Sequence, residues 1–455
     1  MLLEKLALWI DARLGTAHFL RHALRKAFPD HWSFMLGEIN MYAFVILVAT
    51  GTFLALFFDP NSSKVVYHGP YALLDGAKMS HAYESVLDLS FVVNGGLLVR
   101  QIHHWTALIF LAGIVVHMCR IFFTGAFRKP RELNWAIGIV LFLAATFEGF
   151  SGYSLPDDLL SGTGLRIADS VALSVPVVGT WASFLLLGGN YPASGLIPRL
   201  FVVHIFIVPA IIAGLIALHL TIVWRQKHSQ FPGPLRTENN VVGSPMFPAY
   251  AAKSIALSCA ILMTVCFLGA TTQIKPVWLW GPYEPWNVSA PAQPDWYVGW
   301  LEGALRIAPP WALHIFGRTI PSVFWPAVLL PALVFGLLLS WPWVEAAFTK
   351  DRATHQLLDR PRDAPWRTAV GVALLAFAFG ATAAGSDDVQ ARYLHVSIVD
   401  VVHFYQAFCL GGPLLAFGLT YVAARELRER RGVGKAGRVR VRRNERGGYE
   451  EEPLR

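Results

Sequence analysis

Charge is scarce in this chain: Asp, Glu, Lys and Arg make up 15% of its 455 residues, while 55% are hydrophobic. A water-soluble protein of this length carries far more charge, so that class is excluded. Cysteine is scarce too. Cys119, Cys259, Cys266 and Cys409 all lie in apolar segments and form no C-x-x-C or C-x-x-C-H pattern. That spacing argues against an iron–sulfur cluster or a covalently attached c-type haem in this chain. No cleavable signal peptide is expected, because residues 1–15 carry Glu4, Lys5, Asp11 and Arg13 and read as a short amphipathic surface helix.

What the chain has instead is long apolar runs, several exceeding the ~20 residues that cross a bilayer as a helix. Eight spans, A to H, are expected at about 37–58, 97–122, 134–154, 198–224, 251–272, 323–345, 366–385 and 398–424. The fold class is an all-α polytopic membrane protein. Cations place the loops. The segment before A (Lys5, Arg13, Arg21, Arg25, Lys26), the B–C loop (Arg128, Lys129, Arg131) and the D–E loop (Arg225, Lys227, Arg236) read as cytoplasmic. The C–D loop (Asp157, Asp158, Asp169) and the G–H loop (Asp387, Asp388) read as outside, which puts both termini inside. Residues 425–455 hold eleven Lys or Arg against six Glu, and this tail is expected to be cytoplasmic and unstructured. Two outside connections read as long: C–D, with an amphipathic stretch near Ile167–Leu187, and E–F, rich in Pro and Trp.

Four histidines stand in matching order, His103 and His117 on B, His204 and His219 on D. The steps are 14 and 15 residues. At 100° and 1.5 Å per residue, each pair lies roughly 21–23 Å apart along its helix and within about 40° or 60° of one face. B and D both run outside to inside by the charge argument. His103 therefore faces His204 near the outer surface, and His117 faces His219 near the inner one. Two stacked bis-imidazole sites across a membrane suit two non-covalent b-type haems, with A to D forming a dihaem four-helix bundle. Glycines repeat the register: Gly37 and Gly51 on A, Gly138 and Gly152 on C, each pair 14 apart, at the depths of the histidines. They let helices that supply no ligand pass close to a wide flat cofactor. Arg100, Arg120 and Arg199 flank the histidines and are candidates for the haem propionates. His104, next to His103, reads as a decoy, because it points about 100° away and has no counterpart on D.

These motifs resemble cytochrome b, the quinone-reacting subunit of cytochrome bc complexes. They are R-x-x-H-x13-H-x-x-R at 100–120, R-x4-H at 199–204, the paired glycines, Gly152-Tyr153-Ser154-Leu155-Pro156 and Pro294-Asp295-Trp296-Tyr297, and they cover roughly residues 30–345. The 15-residue step on D is similar to plastid and Gram-positive members, and the 231–253 stretch, Asp295 and the basic tail to the actinobacterial branch.

The resemblance implies a quinol–cytochrome c reductase in a bacterial plasma membrane, using menaquinol. Quinol would be oxidised outside, at Tyr153, Gly164, Pro294, Asp295, Trp296 and Tyr297, with Asp295 accepting a proton and Glu302 as second candidate. One electron would pass to a Rieske iron–sulfur subunit, the other through both haems to an inner quinone site. The implied partners are that subunit, a cytochrome c-type subunit and a second copy of the complex, with room for a cytochrome c oxidase in a supercomplex; no nucleic acid is implied. Trp224 and Ser254 depart from the mitochondrial pattern, so the inner site rests on Trp224, His228, Lys253 and Glu38. The chain divides into a surface segment 1–30, a haem-binding part 31–272, a part 273–424 with the quinol loop and spans F to H, and the tail 425–455. Two rivals are a dihaem subunit of a dehydrogenase or hydrogenase, which lacks the Pro-Asp-Trp-Tyr loop, and a proton-coupled transporter, which binds no haem.

Overall fold

The computed structural model describes residues 2–287, 293–433, 439–443 and 449–453. Eight helices are long and apolar enough to cross a membrane: Trp32–Ala55, Gly96–Phe123, Glu132–Ser154, Leu196–Gln226, Met246–Thr271, Trp325–Thr349, Pro365–Ala384 and Ile398–Arg430. They correspond in order to spans A to H. In a bilayer every backbone donor must be satisfied within its own segment, which is why these apolar runs are helical; the exception is Phe247 at the start of E, whose backbone is extended.

A packs on B, B on C, and C on D, giving the four-helix bundle. E lies against A and B, F against C, and G against H. A short helix, Trp296–Ile307, tucks the E–F loop against B, C and G, and so carries residues of the Pro-Asp-Trp-Tyr sequence to the end of the bundle.

Span D is not a uniform helix. Leu196–Val202 and Val208–Gln226 are α-helical, and between them Val203–Ile207 form a wider π-helical turn. Pro209 explains the site of the break, because it lacks the N–H that would close the regular ladder. The turn contains His204 and takes up one extra residue. The 15-residue step on D therefore returns to the same face as the 14-residue step on B.

The loops segregate as their charges require. Arg131 of the B–C loop donates to the His355 carbonyl (2.8 Å) and Arg128 pairs with Asp359 (3.0 Å). The D–E loop joins them through the Gln230 amide to the Gln356 carbonyl (2.9 Å). At the opposite end, Ser80 of the A–B loop bonds Asp157 of C–D (2.6 Å), the Tyr283 amide of E–F bonds the Asp157 carbonyl (2.9 Å), and Gln293 bonds Asp388 of G–H (2.8 Å).

Several expectations change. The A–B connection is a third long outer loop, with a small antiparallel hairpin (Lys64–Val66, Lys78–Ser80) and the helix His81–Phe91. The amphipathic stretch of C–D is two helices, Leu159–Leu173 and Gly179–Leu187. The N-terminal segment likewise holds two, Leu2–Leu14 and Thr16–Leu24. The tail is not wholly irregular: H continues to Val433, and Val439–Arg443 pairs antiparallel with Tyr449–Pro453. That register sets residue 440 across from 452 and residue 442 across from 450. The rest of the tail expectation, residues 434–438, 444–448 and 454–455, lies outside the described residues.

Candidate functional site: two histidine pairs and an outer cavity

The rings of His103 and His204 face each other with centroids 6.3 Å apart and planes at 75°. Two imidazoles on opposite sides of one metal, with bonds of about 2.0–2.1 Å, put their centroids about 6.2–6.4 Å apart. The outward nitrogens are taken. Thr50 donates its hydroxyl to the Ile46 carbonyl (2.7 Å), so its oxygen accepts from His103 Nδ1 (2.9 Å). His204 Nδ1 lies 3.1 Å from the Glu148 carbonyl, from Glu148 Oε1 and from Ser151 Oγ. Since a carbonyl only accepts, His204 Nδ1 carries the hydrogen. Both Nε2 atoms are then left with the lone pair that binds a metal.

The glycines meet the histidines one to one. A Cβ at Gly37 would stand 3.3 Å from His117 Cε1, at Gly51 3.2 Å from His103 Cε1, at Gly138 3.9 Å from His219 Cε1, and at Gly152 2.4 Å from His204 Cε1. The glycines thus make room for the imidazoles themselves, most stringently at Gly152. Nearby cations have donors to spare: Arg100 Nη1 and Arg120 Nε and Nη2 are buried with no partner among the described residues. An anionic group at each level would satisfy them. At the outer level the free imidazole lone pairs, the glycine cradles and the orphaned Arg100 donor fit haem; at the inner level the cradles of Gly37 and Gly138 and the orphaned Arg120 donors do.

The outer pair opens into a cavity of about 480 Å³, whose walls also carry Arg100, His104, Tyr153, Lys275, Asp295 and Tyr297. His104 Nε2 stands 2.9 and 3.1 Å from the two carboxylate oxygens of Asp295. The Tyr297 hydroxyl donates to Asp295 Oδ2 at 3.4 Å. Burial pushes the Asp295 carboxyl up, but the His104 hydrogen bond and the charges of His104 and Lys275 outweigh it, holding the group below its ordinary value. Burial, with Asp295 beside it, raises Tyr297 well above a free phenol, so its hydroxyl donates but does not accept the proton of a quinol.

The inner end is built differently. Trp224 and His228 line an open groove of about 1200 Å³ together with Phe19, Lys26 and Met246. Phe28 links His228 (4.7 Å between centroids) to Tyr250 (4.4 Å). Burial, then the charges of Lys26, Arg131 and Arg120, pushes His228 down to about 4, leaving it neutral near pH 7.

Known proteins bear on this arrangement. Residues 108–282 match the family model "Cytochrome b(N-terminal)/b6/petB". The cytochrome bc1 complex cytochrome b subunit of Mycobacterium leprae is 51% identical over 413 residues, spanning 90% of this chain and 75% of the relative. That of Mycobacterium tuberculosis is 54% identical over 390 residues (86% and 71%), and that of Streptomyces coelicolor 48% over 415 (91% and 76%).

The chain belongs to the cytochrome b subunits of cytochrome bc1 complexes.

A chain of a solved structure described as "Hyperthermophilic respiratory Complex III" shares the fold, with TM-score 0.67 at 21% identity over 91% of this chain and 99% of that one. This cytochrome b is thus a haem-binding, multi-span membrane subunit of respiratory complex III, a quinol–cytochrome c oxidoreductase. Its family excludes the transporter and the dehydrogenase-subunit readings.

Not every residue expected at the cytochrome b sites is where its spacing suggests. Arg199 is exposed and does not wall the cavity; five residues before His204, it turns to the end of helix Gly179–Leu187, where it meets the Leu185 carbonyl (3.5 Å) beside Gly188. Free carbonyls at a helix C-terminus attract a cation. Lys275, which lies outside every motif, is the second cation of the cavity; its ammonium stands 3.3 Å over the Tyr153 ring and 3.4 Å from Asp158. Glu302 is not a free acid. It pairs with Arg306 (2.7 Å), which also holds Asp387, and its position five residues after Tyr297 turns it from the cavity. Among the remaining loop residues, Trp296 is 41% exposed, Pro294 is half-buried outside the wall, and Gly164 packs against Tyr153, whose Cε1 would lie 3.8 Å from a Cβ at that position. At the inner end Glu38 bonds Tyr250 and Ser254, and Lys253 pairs with Asp30 (2.9 Å) away from the groove.

Three further residues escape sequence reasoning. Glu148 is an intramembrane carboxylate on the cavity wall, and its isolation in an apolar run is a signal in itself. Gly149 admits the Tyr297 hydroxyl, which would lie 2.6 Å from a Cβ there. His104, without a counterpart on D, has Asp295 as its partner instead.

Proposed function

We propose that this subunit oxidises menaquinol in the outer cavity and reduces a quinone near the cytoplasmic face. The observation that carries this reading is the continuity of the outer cavity: one space is walled by His103 and His204 at one side and by Tyr153, Asp295 and Tyr297 at the other. His103 with His204, and His117 with His219, would hold two b haems, with Arg100 and Arg120 on the propionates and Lys275 taking the place expected of Arg199. When bound, these haems supply one-electron carriers at two depths of the membrane.

The chain's own residues do the rest. Tyr153 and Tyr297 wall the quinol ring, Asp295 takes a hydroxyl proton, and the outer loops receive it. Deprotonation on that side, paired with proton uptake inside, links oxidation to charge movement across the membrane. Of the two electrons, one would cross by way of the haems held by the two histidine pairs to the inner quinone site, and the other would leave to a Rieske iron–sulfur subunit docked on the C–D and E–F loops, beyond which stand a cytochrome c-type subunit and, in a supercomplex, a cytochrome c oxidase. The complex is homodimeric, lies in a bacterial plasma membrane, and keeps both termini in the cytoplasm. The charged loops that meet at one end, and the acidic ones at the other, support that orientation. The division into 1–30, 31–272, 273–424 and 425–455 is retained as a functional one.

Pyridine haemochrome analysis of the purified complex tests the cofactor count. About two non-covalent b haems per copy of this subunit are expected from four histidine ligands. A single haem, or haem retained covalently, overturns the reading.

A further inference from the structure

Adjacent residues on one helix turn are about 100° apart, so His103 and His104 serve different neighbours. His103 faces His204 inside the bundle. His104 leaves the bundle sideways and meets the loop residue Asp295, its Nε2 at 2.9 and 3.1 Å from the carboxylate oxygens. Both side chains are mostly buried, 16% and 17% exposed, and both line the same cavity. The contact joins span B to the E–F loop across 191 residues of sequence.

We propose that His104 is a positioning residue for quinol oxidation: its Nε2–H holds the Asp295 carboxylate in the cavity, aimed at the quinol hydroxyl. The inference rests on the reading of Asp295 as proton acceptor.

The physical reason is reach and competition. Asp295 sits on a loop just before helix Trp296–Ile307, where a carboxylate has several rotamers and a competing cation, the Lys275 ammonium that already serves Asp158. A carboxylate that swings to Lys275 leaves the wall on which the quinol proton must land. His104 offers an N–H from a rigid helix instead, and an acceptor held by a rigid element needs less reorganisation when the proton moves. The groups facing Asp295 are His104 from B, Tyr153 and Glu148 from C, Lys275 after E, and Tyr297 on its own helix. Of these, His104 and Tyr297 hydrogen-bond the carboxylate, and the His104 bond is the shorter. Oxidation of a quinol releases two protons and two electrons. One O–H bond breaks toward Asp295, whose carboxylate oxygen takes that proton while His104 keeps its own hydrogen; the second hydroxyl proton would leave on the side of the Rieske subunit, which would take one electron, and the other electron would go to the haem held by His103 and His204.

The test uses the intact complex with the inner site blocked, reading menaquinol-driven haem reduction against pH. His104→Phe keeps the ring volume and removes the donor; His104→Gln keeps an amide donor at similar reach. His104→Phe is expected to slow reduction about 5–50-fold and to move the acid limb of the rate up by about one pH unit, because a carboxylate that loses a donor becomes harder to ionise. His104→Gln should stay within about threefold of the parent. Adding His104→Phe to Asp295→Asn should cost nothing further, since the group being positioned is gone. If Asp295→Asn is slow but His104→Phe runs at the parental rate with an unmoved pH profile, or if the two substitutions multiply, His104 does not act through Asp295. If Asp295→Asn itself is unimpaired, the acceptor reading fails instead, and the two failures are distinct. The reduced-minus-oxidised spectrum reports whether the neighbouring His103 still binds haem. Should His104→Phe lose it, His104→Asn, whose amide is too short to reach the carboxylate, replaces it against His104→Gln, with the same outcomes.

Discussion

The two ends of the bundle use the same ligand pattern but surround it differently. At the outer end, the four bundle helices, the A–B helix His81–Phe91 and the E–F segment converge on one cavity, the ligand histidines are tied through Nδ1 to Thr50, Ser151 and Glu148, and the acid, the phenols and the cations all face one space. At the inner end the candidate quinone residues are dispersed. Trp224 and His228 line an open groove, Glu38 is engaged by Tyr250 and Ser254, and Lys253 reaches out to Asp30. The difference teaches where geometry alone carries a function. The proposed extraction of protons and electrons together needs groups held in register, and the outer end holds its groups that way. The inner end presents aromatic surface and adjustable side chains.

The largest effects come from the ligands. His103→Ala or His204→Ala should remove one haem of two and leave the other spectrum intact, and His117→Ala or His219→Ala should remove the other. Optical spectra with redox titration separate the two haems. A spectrum in which His103 and His219 share one haem breaks the parallel arrangement of B and D, and with it the comparison itself.

The glycines give a graded version of the same contrast. Gly152→Ala puts a methyl 2.4 Å from the His204 ring, whereas Gly138→Ala puts one 3.9 Å from His219. The first should displace the imidazole and lose or perturb the outer haem, at a cost of about 1–3 kcal/mol; the second should be nearly neutral. Haem retention during purification and the thermal midpoint of the complex check both. Equal effects at the two levels show that the outer histidine is no more tightly held than the inner.

The cations sharpen the outer site further. Arg100→Gln, and to a similar extent Lys275→Gln, should shift the outer-haem potential downward, since loss of a nearby positive charge favours the oxidised form. Arg199→Gln should leave it unchanged, because Arg199 is spent on the Leu185 carbonyl. Redox titration ranks the three. The smallest effect is expected at the inner end, where Lys253→Ala should change quinone reduction less than about twofold, as an exposed pair with Asp30 contributes little.

These contrasts mark what the sequence discloses. The eight spans are legible because a bilayer demands about 20 apolar residues in each, and the parallel course of B and D follows from loop charge. The histidine and glycine registers are legible because helical geometry turns spacing directly into direction. The 15-residue step on D leaves a residual twist that only the π-helical turn at Val203–Ile207 removes, and Pro209 is its available signal. Loop residues are harder. Direction on a loop does not follow from spacing, so nothing in the sequence tells that the partner of His104 lies 191 residues on. Glu302 turns from the cavity once Trp296–Ile307 forms a helix, where the five-residue step from Tyr297 and the i,i+4 pair with Arg306 set its direction. The contact of Arg199 with the Leu185 carbonyl is hidden for a related reason, since proximity in sequence to a ligand says nothing about a competing helix end.

If the outer histidine pair and the proposed proton-accepting carboxylate belong to one site, pre-steady-state reduction of the haems by menaquinol in the Asp295→Asn complex, with the inner site blocked, shows it. Both haem spectra should be intact, since no ligand is touched, and haem reduction should slow about 10–100-fold. Reduction at the parental rate, with both haems in place, contradicts it.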